Sequence, residues 1–269
     1  MEQTKGPGVA GILSVAALSS VLVDLLHEAG HLTATALPLG VTPISISTIG
    51  LSSRGVSAVV AAAGPATNLF FALCLLGAGA RALPPSWRYF AWLFGSGSLF
   101  NATAYLIYSA VSETGDWAVV FDALAGRAVW SRLVLIAGCA AYAGSILVSA
   151  RALRALRAAG IVAAANVERY CALSYVAGGV VLTAGAVFNP VSPWYILSSG
   201  AATGFGAMAG LMVLPRLRGL SPKPGETAGT SAPAAEAESL RLGWPWILAG
   251  AVAVAIFVGV FGPGVRLGS

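Results

Sequence analysis

Several windows of about 20 residues run almost free of charge through this chain, long enough to cross a hydrocarbon core of about 30 Å as helices. Inside such a core every backbone N–H and C=O must find its partner within the protein, which leaves helices or a closed barrel. Barrel strands alternate apolar and polar side chains, and these windows do not alternate. Composition agrees, with 57% hydrophobic and 9% charged residues against roughly 25% charged in an ordinary soluble domain. The expected fold class is an all-α polytopic membrane protein with roughly six or seven transmembrane helices and the lipid bilayer as its solvent.

The windows fall at roughly residues 8–37, 59–83, 87–111, 129–150, 171–188, 194–214 and 244–261. Between the first two, Ile44-Ser45-Ile46-Ser47-Thr48-Ile49 alternates with period two and Gly50 opens a polar turn, which predicts a short β-hairpin after the first helix. Arg151, Arg154 and Arg157 recur every third residue and, with Arg169, form a basic segment. Set between apolar spans, it reads as a helix whose arginines snorkel at a membrane surface, and no nucleic-acid partner is expected. Residues 219–242 are rich in Pro, Gly, Ala, Ser, Thr and Glu and read as a flexible linker. The chain thus divides into a core over 1–126, additional transmembrane helices over 127–218, the linker, and a C-terminal transmembrane helix over 243–269. Cys74, Cys139 and Cys171 lack paired metal spacing and read as small packing residues. Arginine outnumbers lysine and Ala and Gly abound, the composition of a GC-rich bacterial chain, so the expected location is a bacterial cell membrane.

The first window carries His27-Glu28-Ala29-Gly30-His31, which holds both histidines of the chain. On a helix, positions i and i+4 share a face, so both rings can reach one Zn2+ ion while Glu28 stands close enough to take a proton from water. A carboxylate and two imidazoles inside a membrane span are costly unless something compensates them, and a metal does so. Asp24, one turn earlier, is a candidate to accept the ring N–H that points away from zinc.

A tetrahedral zinc with two His ligands needs a third protein ligand and one open position. Of the acidic residues outside the first window, Glu2, Glu226, Glu236 and Glu238 lie in polar tails or the linker and Glu168 in the basic segment; Asp116 and Glu113 remain, with Asp122 behind them. Asp116 sits in Gly115-Asp116-Trp117, where glycine permits close backbone approach and tryptophan suits an interface. The residues alone leave both Asp116 and Glu113 open as the third ligand.

His27-Glu28-Ala29-Gly30-His31 in a membrane helix, followed by a hairpin and then by Gly64-Pro65-Ala66-Thr67-Asn68, resembles the core of the site-2 proteases, which are intramembrane zinc metalloproteases. Asn101 and Gly115-Asp116-Trp117 are similar to the family's third motif, an Asn followed by an Asp-Gly pair, with Trp117 in place of the usual Gly. The resemblance covers roughly residues 8–122. It implies Asp116 as third zinc ligand, Glu28 as catalytic base, Asn68 as a group holding unwound substrate backbone, and Asn101 as support behind the ligands. The implied substrate is a transmembrane peptide or protein that unwinds before cleavage, with the Ile44–Ile49 edge free to pair with it by strand addition. No segment is long enough for an added regulatory domain, so the membrane helices, the hairpin or a regulatory membrane partner would select substrate. The competing reading is a zinc-binding membrane protein without proteolysis, a transporter or an inactive scaffold. Transporters spread ionisable residues along a pathway, whereas this chain gathers them in two places.

Overall fold

The computed structural model describes residues 8–77, 82–124, 126–190, 196–220 and 240–267. Most of these are helical, and five helices are long and apolar enough to cross a membrane. The long helices are α1 (Val9–Ala34), α2 (Ala58–Leu76), α3 (Pro85–Ser112), α5 (Arg127–Ala158) and α6 (Val167–Val187). Between α3 and α5 lies the short α4 (Asp116–Asp122), and near the C-terminus comes α7 (Trp244–Ile256), continued in wider pitch over Phe257–Phe261. The expected span at residues 194–214 begins outside the described residues. From Ile196 to Arg216 it is helical but changes pitch repeatedly, with a wide turn over Ile196–Gly206 and tighter turns after it.

α3 lies at the centre of the fold. It starts at Pro84-Pro85, where a proline at the first helical position costs no hydrogen bond and fixes a helical φ. Every residue from Tyr89 to Thr103 is buried, so Ser96, Ser98, Asn101 and Thr103 meet protein all round. That placement explains why α3 is long yet less apolar than the five membrane-length helices. Of those, α1 is itself largely buried, while the others keep large apolar side chains exposed, such as Phe70 and Leu73 on α2 and Leu133 and Ile136 on α5, a surface consistent with lipid contact. α5 does not stop near residue 150. It runs on to Ala158 and carries Arg151, Arg154 and Arg157 as its last turns, where Arg154 and Arg157 donate to the carbonyls of Arg218 and Gly219.

The hairpin expected after α1 is present as β1 (Thr42–Ser47) and β2 (Gly50–Arg54), antiparallel from Thr42↔Arg54 to Ser47↔Gly50. Its register slips between Pro43 and Ser45, where proline lacks the N–H a regular ladder needs. A third strand, β3 (Val265–Arg266), returns from α7 and pairs with β1 at Ser45 and Ile46, and Leu267 N donates to Ile44 O at 2.9 Å. The strand order is β2-β1-β3, so the Ile44–Ile49 edge expected to be free is occupied by the chain's own C-terminal segment. The outer edge of β2 takes its place as the one beside the site. The linker expected at 219–242 lies for the most part outside the described residues.

Candidate metal centre

α1 and α2 cross closely because two glycines face each other's helix. A Cβ on Gly30 would stand 2.7 Å from Ala63 O and would overlap the Thr67 hydroxyl. This approach brings the backbone of α2 against the histidines, and His31 Nδ1–H donates to Val60 O at 2.7 Å. That bond fixes the tautomer that leaves Nε2 of His31 free to act as a ligand. His27, Glu28 and His31 are all buried, and one ligand atom from each lies within 4.8 Å of the others.

Asp116 is brought to them by the turn after α3. Glu113 ends that helix with a left-handed backbone (φ 57°), Gly115 follows at φ 83°, and Asp116 begins α4. Two residues with positive φ reverse the chain within a few residues, and glycine is the residue that adopts this conformation without steric cost. Arg127 of α5 fastens both ends of the segment, donating to Glu113 O at 3.0 Å and pairing with Asp122 at 2.6 Å. As a result Asp116 Oδ2 accepts from His27 Nε2 at 3.0 Å, and Oδ1 lies 3.4 Å from His31 Nε2. Burial raises the pKa of the Asp116 carboxyl, but the hydrogen bonds and charge of His27 and His31 outweigh it and hold the group below the usual carboxylate range. Glu113 points elsewhere, with its carboxylate exposed and 3.9 Å from Arg127. Of the two acidic candidates, Asp116 is the one at the histidines.

Three observations bear on whether a metal fits here. Donor atoms around a tetrahedral zinc with bonds of about 2.0–2.1 Å stand about 3.3 Å apart, and the Asp116 oxygens stand 3.0 and 3.4 Å from the two Nε2 atoms. Gly64 of α2 lies over those same nitrogens, and a Cβ there would come 2.8 Å from His27 Nε2 and closer still to His31 Nε2. Glu28 Oε2 is buried with no hydrogen-bond partner, an oxygen available to a water or an ion. The group of His27, Glu28 and His31 could hold a metal ion, and a His-His-Asp donor set of the kind completed by Asp116 is accepted by several first-row divalent metals.

The site opens into a cavity of about 370 Å³ bounded by His27, Glu28, His31 and Asp116 on one side and by β2 on the other, with Tyr105 and Tyr108 of α3 along its wall. The Tyr105 ring packs 4.9 Å from that of His27. Both tyrosines, the Val60 carbonyl and the Gly64 contact escape a reading of side-chain motifs. Gly64 had a signal in its Gly-Pro-x-x-Asn setting, whereas a backbone carbonyl leaves none.

Two expected roles look different in three dimensions. Asp24 does not face the outer nitrogen of His27; Asn68 does, with its amide nitrogen Nδ2 at 3.3 Å from His27 Nδ1, while Asp24 Oδ2 is buried and unpaired. Asn68 is 0% exposed and is not among the residues lining the cavity, so in this arrangement it braces the ligand rather than meeting a substrate. Its Nδ2 also donates to Asn101 Oδ1 at 2.9 Å, so Asn101 stands one residue removed from His27. No family model, curated protein or solved structure matches the chain.

Proposed function

We propose that this protein is an intramembrane zinc metalloprotease of the site-2 type, cleaving peptide bonds of membrane-embedded substrates. The observation that carries the reading is the convergence of His27 Nε2, His31 Nε2 and the Asp116 carboxylate, whose two oxygens lie 3.0 and 3.4 Å from the ring nitrogens, with the free carboxylate oxygen of Glu28 beside them. Five helices long and apolar enough to cross a membrane, four of them with exposed large apolar side chains along their length, support a membrane setting for that centre.

A zinc ion held by His27, His31 and Asp116 would supply polarisation of the scissile carbonyl and a water with its pKa lowered toward about 7. Glu28, with its buried oxygen free, would be the carboxylate that takes a proton from a water in the cavity and returns it to the leaving amine, the usual work of a positioned base. His31 stays in the ligating tautomer through Val60 O, and Asp116 is held in place through Gly115 and Arg127. Burial of the site behind α2 limits water to the cavity side.

A substrate helix has its peptide groups bonded internally, so it must unwind before its carbonyl can reach the centre. The outer edge of β2 lines the cavity at Gly50, Leu51 and Ser53, and β1 is sealed by β3. An extended substrate segment therefore adds to β2, where main-chain bonds replace those lost on unwinding.

The test joins metal analysis of the purified protein with cleavage of a transmembrane peptide. Wild type is expected to hold zinc at one equivalent, Asp116→Ala to lose both metal and cleavage, and Glu113→Ala to keep both. Zinc lost from Glu113→Ala and retained by Asp116→Ala would reverse the ligand assignment. Stoichiometric zinc with no cleavage of any membrane peptide would leave a metal-binding membrane protein without proteolysis.

A further inference from the structure

A second cavity, of about 310 Å³, lies between α2, α3 and α5 at the end of the bundle away from the metal centre. α3 lines it with Arg88 and Trp92, and from Arg88 to Tyr105, which packs on His27, that helix rises about 25 Å. The walls divide by chemistry. Leu75 and Leu76 of α2 and Val148 of α5 form an apolar side, while Arg88 and Arg151 bring two guanidiniums to the same space. Trp92 fastens α3 to α5 beside it, donating from Nε1 to Ser149 O at 3.1 Å.

These two arginines differ from their neighbours in what they bond. Arg154 and Arg157 use their guanidiniums on the carbonyls of Arg218 and Gly219, whereas the side chains of Arg88 and Arg151 make no hydrogen bond or ion pair among the described residues. The last turn of α2 also ends at this cavity, but its carbonyls amount to about half a negative charge against two full positive ones. Aromatic rings mark the level in the membrane. Trp87 packs on Trp246 with ring centroids 4.9 Å apart, and tryptophans gather where a bilayer meets water. Arg88 therefore stands at the depth of lipid phosphates, and the exposed Leu73 and Leu147 extend the apolar wall toward the middle of α2 and α5.

We propose that this cavity binds an anionic phospholipid, its phosphate on Arg88 and Arg151 and an acyl chain along Leu76 and Val148. Guanidinium forks match phosphate oxygens, and arginines with apolar walls below them at a membrane surface are suited to a lipid headgroup. A free phosphate would leave the apolar side without an occupant. A zwitterionic lipid brings an ammonium group that the two guanidiniums repel, so net negative charge is selected. The site shares no residue with the metal centre, and the assignment stands whatever that centre holds.

The full-length protein in a neutral detergent is titrated with dioleoyl phosphatidylglycerol and, separately, with dioleoyl phosphatidylcholine, and bound lipid is counted by mass spectrometry of the intact complex. Phosphatidylglycerol is expected to bind about 25-fold more tightly, about 5-fold for each arginine at the headgroup. Arg88→Gln and Arg151→Gln should each remove about 5-fold of that preference, and the two together all of it. Arg132→Gln removes the same charge from α5 about 28 Å away and should change nothing. Val148→Trp, which fills the apolar side at an exposed position, should weaken lipid binding about 4-fold for each methylene it excludes. Inorganic phosphate at the same ionic strength should leave the complex intact. Equal binding of the two lipids, or an equal loss in Arg132→Gln, would overturn the proposal. Displacement by inorganic phosphate, or full lipid binding in Val148→Trp, would make the cavity a site for free phosphate and overturn it too. If the doubly substituted protein does not fold, the single substitutions and the wild-type preference decide.

Discussion

Gly64→Ala is expected to abolish zinc binding while leaving all three ligand side chains in the sequence. The new Cβ would lie 2.8 Å from His27 Nε2 and 2.6 Å from His31 Cε1, on the side of the rings where a metal must approach. To relieve the overlap α2 has to move away from α1, and that movement also pulls Val60 O from His31 Nδ1, now 2.7 Å away. The substitution therefore blocks two ligand nitrogens and releases the group that orients one of them. Loss of a single orienting partner costs about 10- to 100-fold in metal affinity, so a fall of about 100-fold or more is expected, with overpacking adding about 1–3 kcal/mol of destabilisation. Competition with a chromophoric chelator measures the first and thermal unfolding in detergent the second. Gly144→Ala on α5, where a Cβ would meet nothing within 4 Å, is the matched control and should hold zinc as wild type does. Unchanged affinity in Gly64→Ala would mean that the metal does not approach from α2.

The contrast between these glycines marks what could be read from the sequence. α1 and its His-Glu-Ala-Gly-His stretch were legible because helical spacing alone puts His27 and His31 on one face. The hairpin was legible from the period-two run at Ile44–Ile49. These are local signals, written in neighbouring residues. What escaped depends on segments distant in the chain meeting in space. β3 pairs with β1 across more than two hundred residues, closing the edge that looked open to a substrate, and a two-residue strand has no periodicity to betray it. α5 carries its arginines inside a regular helix because Arg154 and Arg157 find backbone carbonyls near Gly219, contacts that no composition count anticipates. Asn68 was read as facing a substrate because the resemblance to the site-2 proteases implies that role for it. Its burial between His27 and Asn101 instead answers the rule that a buried amide must be bonded. Asp116 and Glu113 were inseparable by residue type, and the choice fell to two backbone angles, φ 57° at Glu113 and φ 83° at Gly115.

Glu28→Gln should separate metal binding from chemistry more cleanly than any ligand substitution. Glutamine keeps the length and shape of the side chain, and His27, His31 and Asp116 are untouched, so zinc is expected to stay at one equivalent. What disappears is the capacity to accept a proton. Glu28 Oε2 is buried and unpaired in a cavity whose other wall is the β2 edge, which puts its free oxygen where a water between metal and substrate must lie. A positioned general base contributes about 100- to 10,000-fold, and cleavage of a transmembrane peptide is expected to fall by that factor. Substrate binding, measured by crosslinking to β2, should persist, because glutamine keeps an oxygen that can accept from the Leu51 backbone as the Glu28 carboxylate does, and β2 stays in place. Asp116→Ala should differ on the metal axis, losing zinc and cleavage together. If Glu28→Gln cleaves as fast as wild type with zinc in place, another group takes the proton, and Tyr105, whose ring packs against His27 along the same cavity, becomes the residue to replace next.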